Sequence, residues 1–305
     1  MCIRDRKKAG LKRSGFSTPW REPKLFTIYL LDVSGGVERS FSPVHDATLG
    51  DADAMFSLLE EYLRRLGIAQ AARVIFVGDG APWIWERVSR LREALSPEGV
   101  EVFEVVDYYH AAAHLWKLVE VREPLSEKER NRLYAKAKRR LREGEVQDLK
   151  QEVLQGTRGK VRKQVLKGME YFETYASRMQ YAIFKAAGVP QGSGCVESAI
   201  RRVINLRLKA PGTFWTPKMA EVFLFLRAQV ISGRWRVFLR NVATRVRHLW
   251  EASRRKRGYT ETETPEKPLL TYAIESQATQ CRHLMSPQVL RHTADTGYPN
   301  KERKS

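Results

Sequence analysis

The chain reads as an α/β domain with a mixed sheet, interrupted by a block of helices, and three observations lead there. Val74-Ile75-Phe76-Val77 is a short run of β-branched and aromatic residues ending at Gly78, the pattern of a strand buried on both faces. It is followed by Ile84, Val88, Leu91 and Leu95 at helical spacing and then by a second strand-like run from Val100 to Val106. Strands separated by single helices build parallel crossovers. From Ser126, where Glu129 completes a capping box, the residues turn strongly charged and helical to about Gln155. A further helix from Lys160 carries Val165, Met169, Phe172, Ala176, Met179 and Ile183, with Gly156 to Gly159 as the turn between the two.

The flanking elements follow in order. The basic stretch to Arg21 has no apolar period and is expected to be a leader or tail. Its first residues, Met-Cys-Ile-Arg-Asp-Arg, resemble translated sequencing-adaptor sequence, so the natural protein is expected to begin further upstream and the sheet to be incomplete at its N-terminus. Leu25 to Val33 predicts a strand, Gly35-Gly36 a turn, and Glu38 to Val44 the pairing strand of a hairpin that forms the antiparallel edge. Met55, Leu59, Tyr62 and Leu66 line a helix that starts at Asp51 and stops at Gly67. The glycine-rich stretch Gly188 to Gly194 starts another helix, with Val196, Ala199, Ile200, Val203 and Ile204 as its buried stripe. Thr216-Pro217 opens an apolar helix, the helical pattern fades near Trp250, and the tail from Ala252 is read as poorly ordered. The expected division is a leader 1–20, the first part of a core 21–119, a helical insertion 120–186, completing helices 187–251 and a basic tail 252–305.

Composition narrows the partners. Lys+Arg 54 against Asp+Glu 35 gives a formal net charge of +19, which points to a polyanion, nucleic acid before membrane. No apolar run approaches the roughly 18 residues of a membrane span. Cys2, Cys195 and Cys281 are odd in number and widely spaced, which argues against a disulfide framework and a thiolate zinc site and for a reducing cytoplasm.

Three acids carry the candidate chemistry. Asp79 in Gly78-Asp79-Gly80 and Asp107 in Val-Val-Asp-Tyr-Tyr-His end neighbouring strands, at the edge where open α/β sheets place their sites. Glu197 begins a helix after the glycine-rich turn. A turn or N-cap aspartate and an exposed Glu197–Arg201 pair are the structural alternatives. Together the acids suit metal-assisted phosphoryl transfer, with carboxylate oxygens holding Mg²⁺. His110 is set apart from His114 by its spacing from Asp107 and could position a carboxylate or contact a DNA phosphate, whereas His114 reads as structural. Trp83 and Trp85 read as core aromatics, with room for one of them to stack on an unpaired base. Arg201, Arg202, Arg207 and Lys209 form either a solvated helix face or a track for the phosphate backbone, and the acids among them favour the track.

Several co-linear motifs, Trp-Arg-Glu-Pro-Lys-Leu-Phe-Thr-Ile-Tyr from Trp20, Thr-Leu-Gly-Asp-Ala-Asp-Ala from Thr48, Gly-Asp-Gly-Ala-Pro-Trp-Ile-Trp from Gly78, Asp-Tyr-Tyr-His-Ala from Asp107 and Pro-Gln-Gly-Ser-Gly-Cys-Val-Glu-Ser-Ala-Ile-Arg-Arg-Val-Ile-Asn-Leu-Arg from Pro190, resemble the ISKra-type bacterial insertion-sequence transposases. These are similar to the Mutator superfamily of DDE transposases, and the resemblance covers about Thr18 to Trp250. It implies a ribonuclease-H-like core with a helical insertion that cleaves and joins double-stranded DNA with Mg²⁺ or Mn²⁺, as a homo-oligomer on DNA in the cytoplasm, associated with the nucleoid. On that resemblance Asp79 matches the second catalytic aspartate and Glu197 the catalytic glutamate, both as metal ligands. Asp107 and His110 match an Asp-x-x-His element. The family's first catalytic aspartate has no match here, and Asp32 is assigned to its turn. A catalytically inactive DNA-binding remnant is the rival expectation.

Overall fold

The computed structural model describes residues 5–6, 16–17, 21–32, 34–95, 100–122, 125–210 and 213–255. The fold is mixed α/β and mostly helical, with two separate half-sheets at its centre. In the first, Lys24–Ile28 pairs antiparallel with Val44–Thr48. In the second, Arg73–Gly78 pairs parallel with Glu101–Val106, in the register Gly78 opposite Val106. A further two-residue pairing joins Asp5–Arg6 to Phe16–Ser17.

The crossover helices form where the apolar spacing places them. Ala52–Leu66 is capped at its start by the Asp51 side chain and stopped by Gly67 in the left-handed region. Pro82–Leu95 and Tyr108–Glu120 follow the two parallel strands. The expected continuous helix to Gln155 is instead two, Glu127–Glu143 and Val146–Leu154, because Gly144 adopts a positive φ of 82° and ends the first. The Ser126–Glu129 capping box forms as expected. Gly159–Thr174 and Tyr181–Ala186 complete the helical block. Its core residues Leu141, Leu149, Val165, Met169 and Phe172 belong to the same buried cluster as Phe26, Val105 and Leu115, so block and sheet share one core. A second cluster joins Ala47 to Val203, Ile204, Leu208, Ala220 and Leu224.

The hairpin forms, with a corrected second strand. Leu31 bridges Val37 and Leu30 accepts from the Glu38 N–H, but regular pairing resumes only at Val44. Between them the Glu38 carboxylate accepts from the Ser40 N–H, and Pro43 has no N–H to give a ladder. Phe41 thereby turns fully into the core. At the end of the chain, the last helix runs from Trp235 to Arg255, past the fading point expected at Trp250. Residues 256–305 of the expected tail lie outside the described residues.

The outer edge of the hairpin is covered rather than left open, which removes a template for strand aggregation. The Leu49 N–H donates to Glu221 on the Pro217–Ile231 helix, and the His45 N–H donates to Ser232 Oγ just beyond it. Arg234 donates to the His45 carbonyl oxygen, and the Tyr62 hydroxyl donates to Asp46 at 2.7 Å. Burial pushes the Asp46 carboxyl up, opposed by its bond from Tyr62. Burial also pushes the His45 imidazole down to about 4 from the usual 6.5, with Arg202 and Arg234 adding to the shift.

A pH prediction follows from His45. The unfolded chain protonates this residue below about pH 6.5, while the folded chain stays unprotonated there until about pH 4. Its contribution to stability is therefore present above pH 6.5 and lost as pH falls through that window. Asp46, shifted upward, slopes the other way, so the comparison is between wild type and His45→Asn. Urea titrations from pH 7 to 4 are expected to show a shallower loss of stability on acidification in the variant, and the His45 ring resonances are expected not to titrate between pH 7 and 5.

Candidate active site

Parallel pairing of Arg73–Gly78 with Glu101–Val106 brings the residues after both strands to one edge, where the Asp107 N–H donates to the Gly78 carbonyl at 2.7 Å. The two aspartates that follow then take different duties. Asp79 Oδ1 accepts from the Ala81 N–H at 3.0 Å, a local turn bond that leaves the second oxygen without a partner among the described residues, and its side chain lines a cavity of about 1600 Å³. Its main-chain oxygen accepts from Trp85 Nε1 at 2.9 Å. The Trp85 indole is thus held in the core, while the half-buried Trp83 packs edge-on to Phe56 and lines the same cavity.

Asp107 is buried and fully engaged. One carboxylate oxygen caps the Tyr108–Glu120 helix by accepting from the His110 N–H at 2.8 Å, and the other accepts from the Ser193 N–H in the glycine-rich loop. Beside it, Gly192 lies close under the exposed Tyr109 ring, which a Cβ there would meet at 3.0 Å. Asp107 thereby clasps the strand edge to the loop that precedes Glu197.

Glu197 sits in the first turn of Gly194–Ala199, exposed, and among the described residues its carboxylate has no hydrogen-bond or ion-pair partner. The expected alternative, a pair with Arg201, does not form. Asp79, His110 and Glu197 line the same cavity. His114 packs its ring on Tyr171 at 4.4 Å between centroids, and burial, with Lys117 and His110 nearby, lowers its pKa. Asp32 accepts from the Ser34 N–H and hydroxyl and from the Gly36 N–H, the turn role expected for it.

Sequence reasoning missed Tyr171. Its ring occupies the space left by the absent side chain of Gly80, its buried hydroxyl has no hydrogen-bond partner among the described residues, and burial together with the Asp79 charge pushes its pKa up. The only signal was Gly80 itself, a small residue beside Asp79. Also missed was the winding after Ala199: residues Ile200–Asn205 form a π-helical turn, in which the Leu206 N–H reaches back to the Arg201 carbonyl. The wider turn keeps Val203, Ile204 and Leu208 inward and leaves Arg201, Arg202, Arg207 and Lys209 exposed. These four have no acidic partner among the described residues, unlike Lys136, Arg140 and Lys150 of the helical block, which pair with Glu152, Glu145 and Glu173.

No protein-family model, curated protein or solved structure matches the chain.

The two acids nearest the loop are expected to separate cleanly by mutation. Asp107→Ala removes a helix cap and leaves the Ser193 N–H without its acceptor, a loss of about 2–4 kcal/mol. Glu197→Gln touches nothing in the fold and is expected to change stability by less than about 0.5 kcal/mol. Urea denaturation of both variants at pH 7 measures the contrast.

Proposed function

We propose that the chain is the DNA-handling and catalytic region of a DDE-type insertion-sequence transposase, with a ribonuclease-H-like core. The observation that carries this reading is the pairing of two lightly engaged carboxylates, Asp79 and Glu197, on one cavity with the unpaired cations Arg201, Arg202, Arg207 and Lys209 on the helix that bears Glu197. Carboxylates without structural duty beside a cationic track suit chemistry on a phosphodiester backbone. The co-linear motifs that resemble ISKra-type transposases support the same reading. Among the described residues, no helix is long and apolar enough to cross a membrane.

Strand cleavage in this class draws on divalent metal, which activates the attacking oxygen and stabilises the leaving one. The donor set here falls short of it: no group of three His, Cys, Asp or Glu side chains among the described residues stands close enough to hold an ion. No cleavage step is therefore assigned to Asp79 and Glu197 alone. What the chain's own residues do is bind: the four exposed cations neutralise phosphates, and His110 lines the cavity that Asp79 and Glu197 share. That shortfall favours a second reading for the 305 residues as they stand, a chain that binds DNA without cutting it.

Duplex DNA binding tests the proposal. Affinity is expected to fall steeply between 50 and about 200 mM salt, and Arg201→Ala or Arg202→Ala is expected to weaken binding and flatten the log K against log salt slope by about one unit each. Asp79→Asn and Glu197→Gln are expected to leave affinity nearly unchanged. No binding at low salt, or a salt-insensitive interaction, would sink the reading.

A further inference from the structure

The Pro217–Ile231 and Trp235–Arg255 helices leave apolar side chains uncovered among the described residues. The first buries Ala220 and Leu224 in the cluster that includes Ala47 of the hairpin, yet its outer side exposes Met219, Val222 and Val230. Apart from Lys218, Glu221, Arg227 and Gln229 it is apolar on every side, the composition of a helix that is covered all round. Phe225 joins it edge-on to Phe238 of the second helix, with ring centroids 5.5 Å apart. Beyond that contact every residue from Ala243 to Leu249 is exposed.

The exposed half of this helix is nevertheless patterned. Leu239, Val242, Val246 and Leu249 recur at steps of three, four and three, and Leu239, Val246 and Leu249 are 45%, 59% and 53% exposed. That spacing is the narrow seam by which one helix packs along another. Most of a helix's stability comes from burying such a face, so an uncovered seam leaves this segment marginal in water. Charge then specifies the partner. Helical spacing sets Arg236, Arg240 and Arg247 along one border of the seam and Arg245 along the other, all of them exposed. None of the four has an acidic partner among the described residues, and the one acid of the helix, Glu251, lies beside His248.

We propose that the Leu239–Leu249 seam is a docking site for an amphipathic, acidic helix of another polypeptide, with apolar residues repeating at steps of three and four and Asp or Glu on both borders. The apolar residues between the arginines select a protein helix, because a phosphate backbone has nothing to bury against them. A second copy of this chain would bring the same four arginines to the interface with a single acid to offset them. A lipid surface takes a broader apolar face than this seam offers. Met219, Val222 and Val230 add apolar surface on the adjoining helix. The proposal is independent of the DNA reading, whose cations Arg201, Arg202, Arg207 and Lys209 lie outside both helices.

The probe is a fluorescein-labelled peptide of three heptads, each Glu-Ile-Ala-Ala-Leu-Glu-Gln, titrated with the full chain in the absence of DNA at about 50 mM salt and followed by anisotropy. Saturable binding is expected. It is expected to weaken at least about tenfold when Lys replaces every Glu of the peptide, in the Val246→Ser/Leu249→Ser chain, and in the Arg236→Gln/Arg245→Gln chain. All four replaced side chains are exposed, so both variants are expected to keep the wild-type circular dichroism and urea midpoint. No binding of the acidic peptide, or equal binding of the Lys peptide, would overturn the proposal. So would binding that neither double variant weakens. Sedimentation showing self-association that Val246→Ser/Leu249→Ser abolishes would make a second copy the occupant instead. Loss of duplex DNA binding but not of peptide binding in Arg236→Gln/Arg245→Gln would assign the arginines to nucleic acid, and either result overturns the proposal.

Discussion

The carboxylate of Asp107 is the joint on which the candidate site depends. It is buried, and a buried charge is tolerated only when its oxygens are hydrogen-bonded. Here each oxygen takes one backbone N–H, from His110 and from Ser193, residues separated by the whole helical block. The same residue's N–H is bound to the Gly78 carbonyl, immediately before Asp79. One side chain thus fixes the strand edge, the start of a helix and the loop leading to Glu197 relative to one another. The helical block between them can then be as large as it is without loosening the site, because its core is continuous with that of the sheet.

The elements legible in the sequence are those written in local signals. The Arg73–Gly78 strand, the Asp51 and Ser126 caps and the Thr216-Pro217 start are each set by residues within a few positions of each other. The second hairpin strand was misplaced because Val44-His45-Asp46-Ala47-Thr48 buries two ionisable residues, whose partners Tyr62, Ser232 and Arg234 are remote in sequence. A hydrophobic pattern cannot reveal such a strand, whereas Phe41, which is only the plug of a turn, imitates one. The same division holds at the site. Asp79 and Glu197 were visible as a strand end and as an acid without a capping role, and they do line one cavity. Asp107 was equally visible as a strand end, but its bond to the Ser193 N–H, remote in sequence, was not. The π-helical turn after Ala199 has no sequence signature, yet it decides which of the following residues point outward.

The covered outer edge of the hairpin has a consequence for how the chain comes into being. The groups that satisfy it, Glu221, Ser232 and Arg234, lie 172 to 189 residues beyond the backbone they serve. At ribosomal rates of about 5–20 residues per second, the Val44–Thr48 strand emerges roughly 10–40 s before the helix that shields it. During that interval the nascent hairpin displays an edge open to neighbours, with His45 and Asp46 still in water. Their polarity, costly to bury later, keeps the exposed strand soluble while it waits. The ionisable pair that obscured this strand in the sequence is thus also what protects it during synthesis.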